Sequence, residues 1–483
     1  MAADTLKERT AKGLFWGGLS NTLQQLLGLC FGLLLARMLM PEDYSMVAML
    51  MVYSLVASCI QESGFGTVLA IRKEVTHRDF NAVFWFNSLV SLVLYGLLFI
   101  AAPYIAAYNR TPELTPLARV AFLGFVFSAL GTAHFAYLFR HMMVKQRTIA
   151  TFTATVFSGL VGVAFVYNGF AYWGLVFQDL CYKALTAAFF WYFSDFRPSL
   201  RIDLRPIRSM FGFSSKLLVT NILNNVNNQY LQAVLGHYYP RHDVGNYSQA
   251  NKWNTMGYSL VGGMVNSIAQ PVLAGVSDDQ GRQVRIFRKM LRFTAMFSFP
   301  AMLGLAVVAP EFVVLGLKEQ WSGSVPYLQV LCIAGAFIPV AQLYSNLLIS
   351  KGRSGAYMCS IGAMLLLQLL ATFWLSAYGI RFLVYVIAAL NIVWLAVWHL
   401  LAARFTGLRW LDAARDVLPF FFIAAAVVVS TDTASRFLVD GLWARLGVKV
   451  LLVACTYAGI LWALRVVVFR ECLVFLRQKL FHK

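Results

Sequence analysis

Charge is scarce in this chain. Asp, Glu, Lys and Arg make up 13% of its 483 residues, against about 25% in a soluble domain. Hydrophobic residues reach 59%. A surface with so little charge cannot be held in water, so the apolar exterior must meet lipid. The same composition excludes disordered, collagenous and disulfide-rich secreted chains. Acid is scarcer than base: 21 Asp and Glu face 40 Lys and Arg, for a net charge of +19. Walker A, His-Glu-x-x-His and Gly-x-Ser-x-Gly motifs are all absent. The seven histidines and seven cysteines do not fall at metal-ligand spacing. The cysteines lie singly, mostly in apolar runs, and read as small packing residues. No stretch between the apolar runs is long enough for a soluble catalytic domain. The expectation is a chain that is not an enzyme and carries no cofactor.

What is present is a series of long apolar runs. A spanning helix needs about 20 mostly apolar residues. Fourteen stretches qualify, at about 13–36, 44–62, 80–107, 114–139, 148–167, 171–193, 210–236, 244–271, 290–309, 325–349, 355–377, 382–403, 414–431 and 446–468. The first is too long for a cleavable signal and is followed by no small-residue cleavage site. The alternate connections that include the N-terminus hold 28 Lys and Arg, and the other set holds 8. Positive charge is retained inside, so both termini are expected in the cytoplasm. The +19 charge is then an inner-face effect, and nucleic acid is not needed to explain it. The connection at 432–449 fits least well, because it places Arg436, Arg445 and Lys449 outside.

The chain also resembles itself. At an offset of 200, Ser20-Asn21 meets Thr220-Asn221, Gln24-Gln25 meets Asn224-Asn225, and Asp43 meets Asp243; Pro41 and Pro240 miss that register by one. Pro116 pairs with Pro326, and Lys145-Gln146-Arg147 with Lys351-Gly352-Arg353. The matches keep their order and imply a unit of about six spans. Six is even, so both copies enter from the same side, a parallel repeat typical of transporters. The expected fold is an all-α integral membrane protein of about fourteen transmembrane helices. Two six-helix lobes, 1–200 and 201–405, are followed by an appended helix pair and cytoplasmic tail, 406–483.

Polar groups at membrane depth are costly, and these are concentrated. Span 1 carries Asn21, Gln24 and Gln25. Span 7 carries Asn221, Asn224, Asn225 and Asn228 at the spacing of one helical face. Span 8 adds Asn246, Gln249, Asn251, Lys252 and Asn254. Helix–helix hydrogen bonding is one reading. A water-filled cavity shared by the two related stripes is the preferred one. Lys252 lies about nine residues, or roughly 13 Å, from the outer end of span 8. Lys216 lies two turns into span 7, within reach of snorkelling. Asp179 and Lys183, four apart on span 6, should pair. Glu62, near the inner end of span 2, should cap or pair with Arg72 or Lys73. These last three are the candidates for coupling to an H+ or Na+ gradient. A lysine among amides suits an anion attached to a hydroxyl-rich body, since amides serve hydroxyls and the ammonium serves phosphate.

Ala36-Arg37-Met38-Leu39-Met40-Pro41-Glu42-Asp43-Tyr44 resembles the A-R-x-L-x-P-x-D-[YF]-G signature of bacterial lipid-linked oligosaccharide flippases, with Ser45 in place of the usual Gly. These belong to the multidrug/oligosaccharidyl-lipid/polysaccharide exporter superfamily. Glu62-Ser63-Gly64-Phe65 resembles the family's acidic-x-Gly-[Phe/Leu], and Gly245-Asn246-Tyr247-Ser248-Gln249-Ala250 its G-x-Y-S-x-A, with Pro271 following. The resemblance implies alternating access in the bacterial inner membrane. An undecaprenyl-pyrophosphate-linked repeat unit of O-antigen, capsule or exopolysaccharide would be the substrate. Membrane lipids, the polysaccharide polymerase and the export machinery would be partners. Pro41, Asp43 and Gly64 would shape loops. The alternatives are an ion-coupled multidrug exporter of the same superfamily, expected to use buried carboxylates, and a membrane polysaccharide polymerase or ligase, expected to need a sizeable outer loop.

Overall fold

Inside a bilayer no water can satisfy a backbone N–H or C=O, so the chain must close its own hydrogen bonds. Long apolar runs without alternation close them as helix. The computed structural model describes residues 23–62, 65, 69, 75–141, 143–200, 202–208, 222, 230–231, 234–274, 276, 279–438 and 441–471. Among these residues every regular element is a helix. They are α1 (Leu23–Met38), α2 (Pro41–Glu62), α3 (His77–Tyr108), α4 (Leu114–Ala121), α5 (Leu123–Arg140), α6 (Val144–Tyr167), α7 (Trp173–Phe193), α8 (Arg241–Ala274) and α9 (Gln280–Phe312). A π turn (Val313–Leu317) and a 3-10 turn (Glu319–Ser324) lead to α10 (Val325–Gly335), α11 (Ile338–Ser350), α12 (Ser354–Leu375), α13 (Ile380–Thr406), α14 (Trp410–Leu438) and α15 (Leu442–Ala463).

Nine stretches among the described residues are long and apolar enough to cross a membrane: α3, α4 with α5, α6, α9, α10 with α11, and each of α12 to α15. Helices α1, α2, α7 and α8 stand at the places of expected spans 1, 2, 6 and 8. Span 7 lies mostly outside the described residues. The chain is an all-α membrane protein, and it divides into two compact units, 1–245 and 246–483.

In the first unit α7 packs against both α5 and α6. The indole of Trp191 on α7 donates to the Leu130 carbonyl on α5 at 2.7 Å. A Cβ on Gly159 of α6 would stand 2.5 Å from the Phe31 ring of α1, so only glycine admits that ring. Helix α3 starts with a capping box, in which the Asp79 carboxylate accepts the Thr76 N–H at 2.8 Å. The segment after α7 is tied to the same end of α3. Ser199 N–H donates to Asn81 Oδ1 at 2.8 Å, and Arg78 Nε to Asp203 at 2.7 Å. The Arg205 backbone N–H, and then Arg78, hold the Asp203 carboxyl below the usual carboxylate range.

In the second unit α9 is the hub, packing on α10, α14 and α15. An apolar cavity of about 610 Å³ lies between α9 and α15, lined by Pro300, Gly304, Val453, Tyr457 and Leu461 among others.

Local geometry recurs along the chain at the expected repeat offset. Span 4 is broken into α4 and α5, and span 10 into α10 and α11. The turn ending α5 pairs His141 N–H with Tyr137 O and Met143 N–H with Leu138 O. The turn ending α11 pairs Lys351 with Leu347 and Arg353 with Leu348. The offset is 210 throughout, as for Pro116 and Pro326. The alignment of Lys145-Gln146-Arg147 with Lys351-Gly352-Arg353 is therefore off by one helical turn. A second equivalence stands where α2 and α8 begin: Asp43 N–H donates to Met40 O, and Asp243 N–H to Pro240 O, both at 3.1 Å. Asp43 also accepts the Met40 N–H at 2.9 Å, which explains the acid of the first motif. The glycine of the G-x-Y-S motif is explained too. A Cβ on Gly245 would fall 1.8 Å from the Pro41 carbonyl oxygen, a backbone atom that cannot give way. Beside this contact His242 Nδ1 meets Glu42 at 2.9 Å, and Arg241 reaches Thr111 at 2.9 Å.

Candidate functional site

Helix α8 sorts its polar residues by face. The 3–4 spacing puts Ser248, Lys252, Thr255, Ser259, Gly263 and Asn266 on one stripe, and all six are partly or fully exposed. Asn246, Gln249, Trp253 and Asn254 are buried on the packed side. A Cβ on Gly323 would stand 2.7 Å from Asn246 Nδ2, and one on Gly335 2.3 Å from Asn254 Oδ1, so glycines make room for the amides. Both amide atoms of Gln249 are without a hydrogen-bond partner among the described residues. On the open stripe, Lys252 sits eleven residues into α8, roughly 17 Å from its start. Its ammonium lies 5.7 Å from the centre of the Trp253 ring. Further along, Asn266 is held by α11: its Nδ2 donates to Gln342 at 3.2 Å, and its Oδ1 accepts from Asn346 at 2.8 Å. The result is a file of small hydroxyls, an amide and one cation on a rigid helix. Such a face can hydrogen-bond hydroxyls and attract an anion.

The other candidates fall in different places. Gln24 donates to Thr151 Oγ1 of α6 at 2.9 Å, a helix–helix hydrogen bond. Gln25 is half-buried on α1. Asp179 and Lys183 pair along α7 at 2.6 Å, as the spacing predicts. The lysine stem packs where a Cβ on Gly124 would touch it at 3.0 Å. Glu62 closes α2, and its side chain lies outside the described residues. Asn21, Lys216, Asn221, Asn224, Asn225 and Asn228 also lie outside them.

Two charge clusters were not foreseen. At one end of α14, Asp416 is buried and takes Arg288 Nε and Arg292 Nε of α9, both at 2.6 Å, while Asp412 takes Arg288 Nη1 at 3.3 Å. At the other end, Lys449 of α15 is buried. It meets Glu311 of α9 at 2.8 Å and Asp432 of α14 at 2.9 Å. The connection between α14 and α15 is therefore far shorter than 432–449, and Arg436, Arg445 and Lys449 are helical residues. The missed signal was the pattern Glu311, Asp432, Lys449, the first two just beyond an expected span and the third just inside the edge of another.

Comparison with known proteins supplies the context for this geometry. The lipopolysaccharide biosynthesis protein WzxC of Escherichia coli is 25% identical over 362 residues, covering 72% of this chain and 71% of its own. The succinoglycan biosynthesis transport protein ExoT of Rhizobium meliloti is 23% identical, covering 80% of this chain and 76% of its own. Among solved structures, the lipid II flippase MurJ in an inward closed conformation superposes with a TM-score of 0.72 at 12% identity, over 93% of this chain and 99% of that one. An inward-facing multidrug resistance transporter gives 0.65 at 16% identity, over 80% and 94%. At these identities the superpositions establish the fold. The family model described as polysaccharide biosynthesis protein matches residues 34–326, more than half of the chain, and the chain belongs to that family.

Proposed function

We propose that this chain is a flippase that moves undecaprenyl-pyrophosphate-linked oligosaccharide repeat units across the bacterial inner membrane, for O-antigen, capsule or exopolysaccharide. The observation that carries the reading is the polar stripe of α8, on which Lys252 stands among hydroxyls and an amide. The oligosaccharide hydroxyls would exchange water for Ser248, Thr255, Ser259 and Asn266. The pyrophosphate would meet the Lys252 ammonium. The prenyl chain would stay in lipid. The roles named for WzxC and ExoT, in lipopolysaccharide and succinoglycan biosynthesis, support this substrate class. In this reading two six-helix lobes alternate access, both termini are cytoplasmic, and an H+ or Na+ gradient drives the cycle.

One unit charge pair at about 4 Å is worth roughly 4 kcal/mol at an effective dielectric near 20. Desolvation offsets much of it, so the net contribution is smaller. The test uses the full chain in sealed vesicles with a fluorescent lipid-linked oligosaccharide. Lys252→Glu should slow flipping at least about tenfold, since ~1.4 kcal/mol is a factor of ten in rate. Lys252→Arg should retain part of the activity, because the charge stays while the ammonium geometry does not. Wild-type flipping by a normally inserted Lys252→Glu protein would overturn this role.

A further inference from the structure

Helices α9 and α15 are tied by ion pairs at two ends, with open space between the ties. At one end the Lys449 ammonium meets Glu311 at 2.8 Å and the Val307 carbonyl at 3.1 Å. At the other, α15 stops at Ala463, and a turn through Arg465 leads into a short helical stretch, 467–471. Arg465 takes a φ of +52°, a conformation that is costly for a residue other than glycine. The turn leaves Phe469 lining the space between the helices, and Glu471 meets Lys289 of α9 at 2.6 Å. Small residues line the space on both sides: Ala301 and Gly304 on α9, Ala454 and Ala458 on α15. They leave a cavity of about 610 Å³, the size of a small-ligand site.

An apolar occupant is what this space can hold. Among the described lining residues only Tyr457 carries a hydroxyl, and it donates to the Met296 carbonyl at 3.1 Å. Water would find no partner there. Left empty, an apolar space of this volume would cost about as much as the whole net stability of a typical protein. The lining residues Phe297, Ala301, Val450 and Ala454 are exposed, so the cavity is a groove that opens at the surface. Its length selects the occupant. From Val450 to Leu461 the lining of α15 runs eleven residues, roughly 17 Å of helix. That is about half of a hydrocarbon core of about 30 Å, the length of a chain that fills one leaflet. The Lys449 tie closes the groove beyond Val450, so the much longer undecaprenyl chain does not fit along it. Charge selects the head group. Arg465 and Arg470 stand at the Phe469 end, both exposed, and neither guanidinium pairs with a described residue. A guanidinium fork matches phosphate oxygens.

We propose that the groove between α9 and α15 binds one acyl chain of an anionic phospholipid, whose phosphate rests on Arg465 and Arg470. The bias of Lys and Arg assigns this end to the cytoplasmic side, so the inner leaflet supplies the lipid. The chain fills the space between the two ion-paired ends and holds α15 against α9 with full packing. None of the lining residues belongs to α8, so the site is independent of the proposed transport and stands whether or not the chain flips an oligosaccharide.

The test is native mass spectrometry of the full chain, purified in detergent, stripped of lipid and titrated with phosphatidylglycerol, phosphatidylethanolamine or undecaprenyl phosphate. One phosphatidylglycerol should bind the wild type several-fold more tightly than phosphatidylethanolamine does. Ala458→Trp fills the groove and should lose that tight site. Leu451→Trp, on an exposed position of α15 outside the groove, should keep it. Arg465→Gln with Arg470→Gln should bring the two phospholipids to equal affinity. If Ala458→Trp fails to insert, a phosphatidylglycerol with a photoreactive diazirine in its acyl chain reads the site in the wild type, and the label should concentrate on 296–308 and 450–461. Wild-type binding by Ala458→Trp, equal affinity of the wild type for the two phospholipids, or label spread evenly over the other helices overturns the proposal. Displacement of phosphatidylglycerol from the site by an equal concentration of undecaprenyl phosphate also overturns it, and assigns the groove to the prenyl carrier.

Discussion

Lys449 illustrates how much a single residue can hold. It is buried, its three donors are all used, and it joins three helices through two carboxylates and a carbonyl. Replacing it by methionine leaves Glu311 buried without a counter-charge. Breaking such a pair from one side costs about 3–5 kcal/mol. The lower end applies here, because Asp432 keeps Arg436 and some water. Lys449→Met should therefore lower the thermal midpoint of the detergent-solubilised protein clearly. Adding Glu311→Gln should restore part of the loss, because residues in one network couple non-additively. Equal midpoints for Lys449→Met and wild type would show that the pair contributes nothing. None of the three members was legible in the sequence as a site. Hydropathy windows end where charge begins, so each was assigned to a connection. Asp179 and Lys183 were legible, because four-residue spacing within one helix is a local signal. A network spanning more than one hundred residues of sequence is not.

At the scale of elements the sequence was far more informative. Apolar length alone located the helices of every expected span outside 210–236, and an excess of amides marked α8 as unusual. What periodicity did not decide is which polar residues of α8 face open space. Gln249 was grouped with Lys252, yet the structure buries it with Asn246 and Asn254, because glycines at 323 and 335 let those amides pack. Those glycines lie some seventy to eighty residues away, beyond any local pattern. The two faces make different expectations. In a cysteine-free background, cysteines at Thr255 and Ser259 should react with a small hydrophilic thiol reagent. Cysteines at Val261 and Val265, both under 10% exposed, should be protected. Equal reactivity at all four positions would remove the open polar stripe and with it the binding role of Lys252. Helix α14 carries the complementary lesson. It is fastened to α9 by ion pairs at both ends, through Asp416 and, by way of Lys449, Asp432. An appended helix pair joined only by apolar contact could slide in lipid, because lipid offers no hydrophobic drive to hold helices together. The ion pairs fix its register.

For the whole molecule the decisive property is how many times the chain crosses. The repeat argument needs an even number of spans per copy. The local turns recur at an offset of 210, and the start of α8 mirrors the start of α2; the side on which each copy would enter is a separate question. One helix tests this with least ambiguity. Helix α7 has 21 residues, about 31 Å of helix, enough to cross a hydrocarbon core of about 30 Å once. Asn168 caps the helix before it, and Arg205 lies in the polar segment after it, tied to α3 through Asp203. Reporter fusions at Asn168 and Arg205 should therefore land on opposite sides of the membrane. The bias of Lys and Arg between alternate connections gives the sign, with Asn168 outside and Arg205 in the cytoplasm. Alkaline phosphatase should be active at Asn168, and green fluorescent protein should fluoresce at Arg205. Finding both fusions on one side would mean that α7 does not span. The first six spans would then be odd in number, the second copy would enter inverted, and a parallel repeat could not hold.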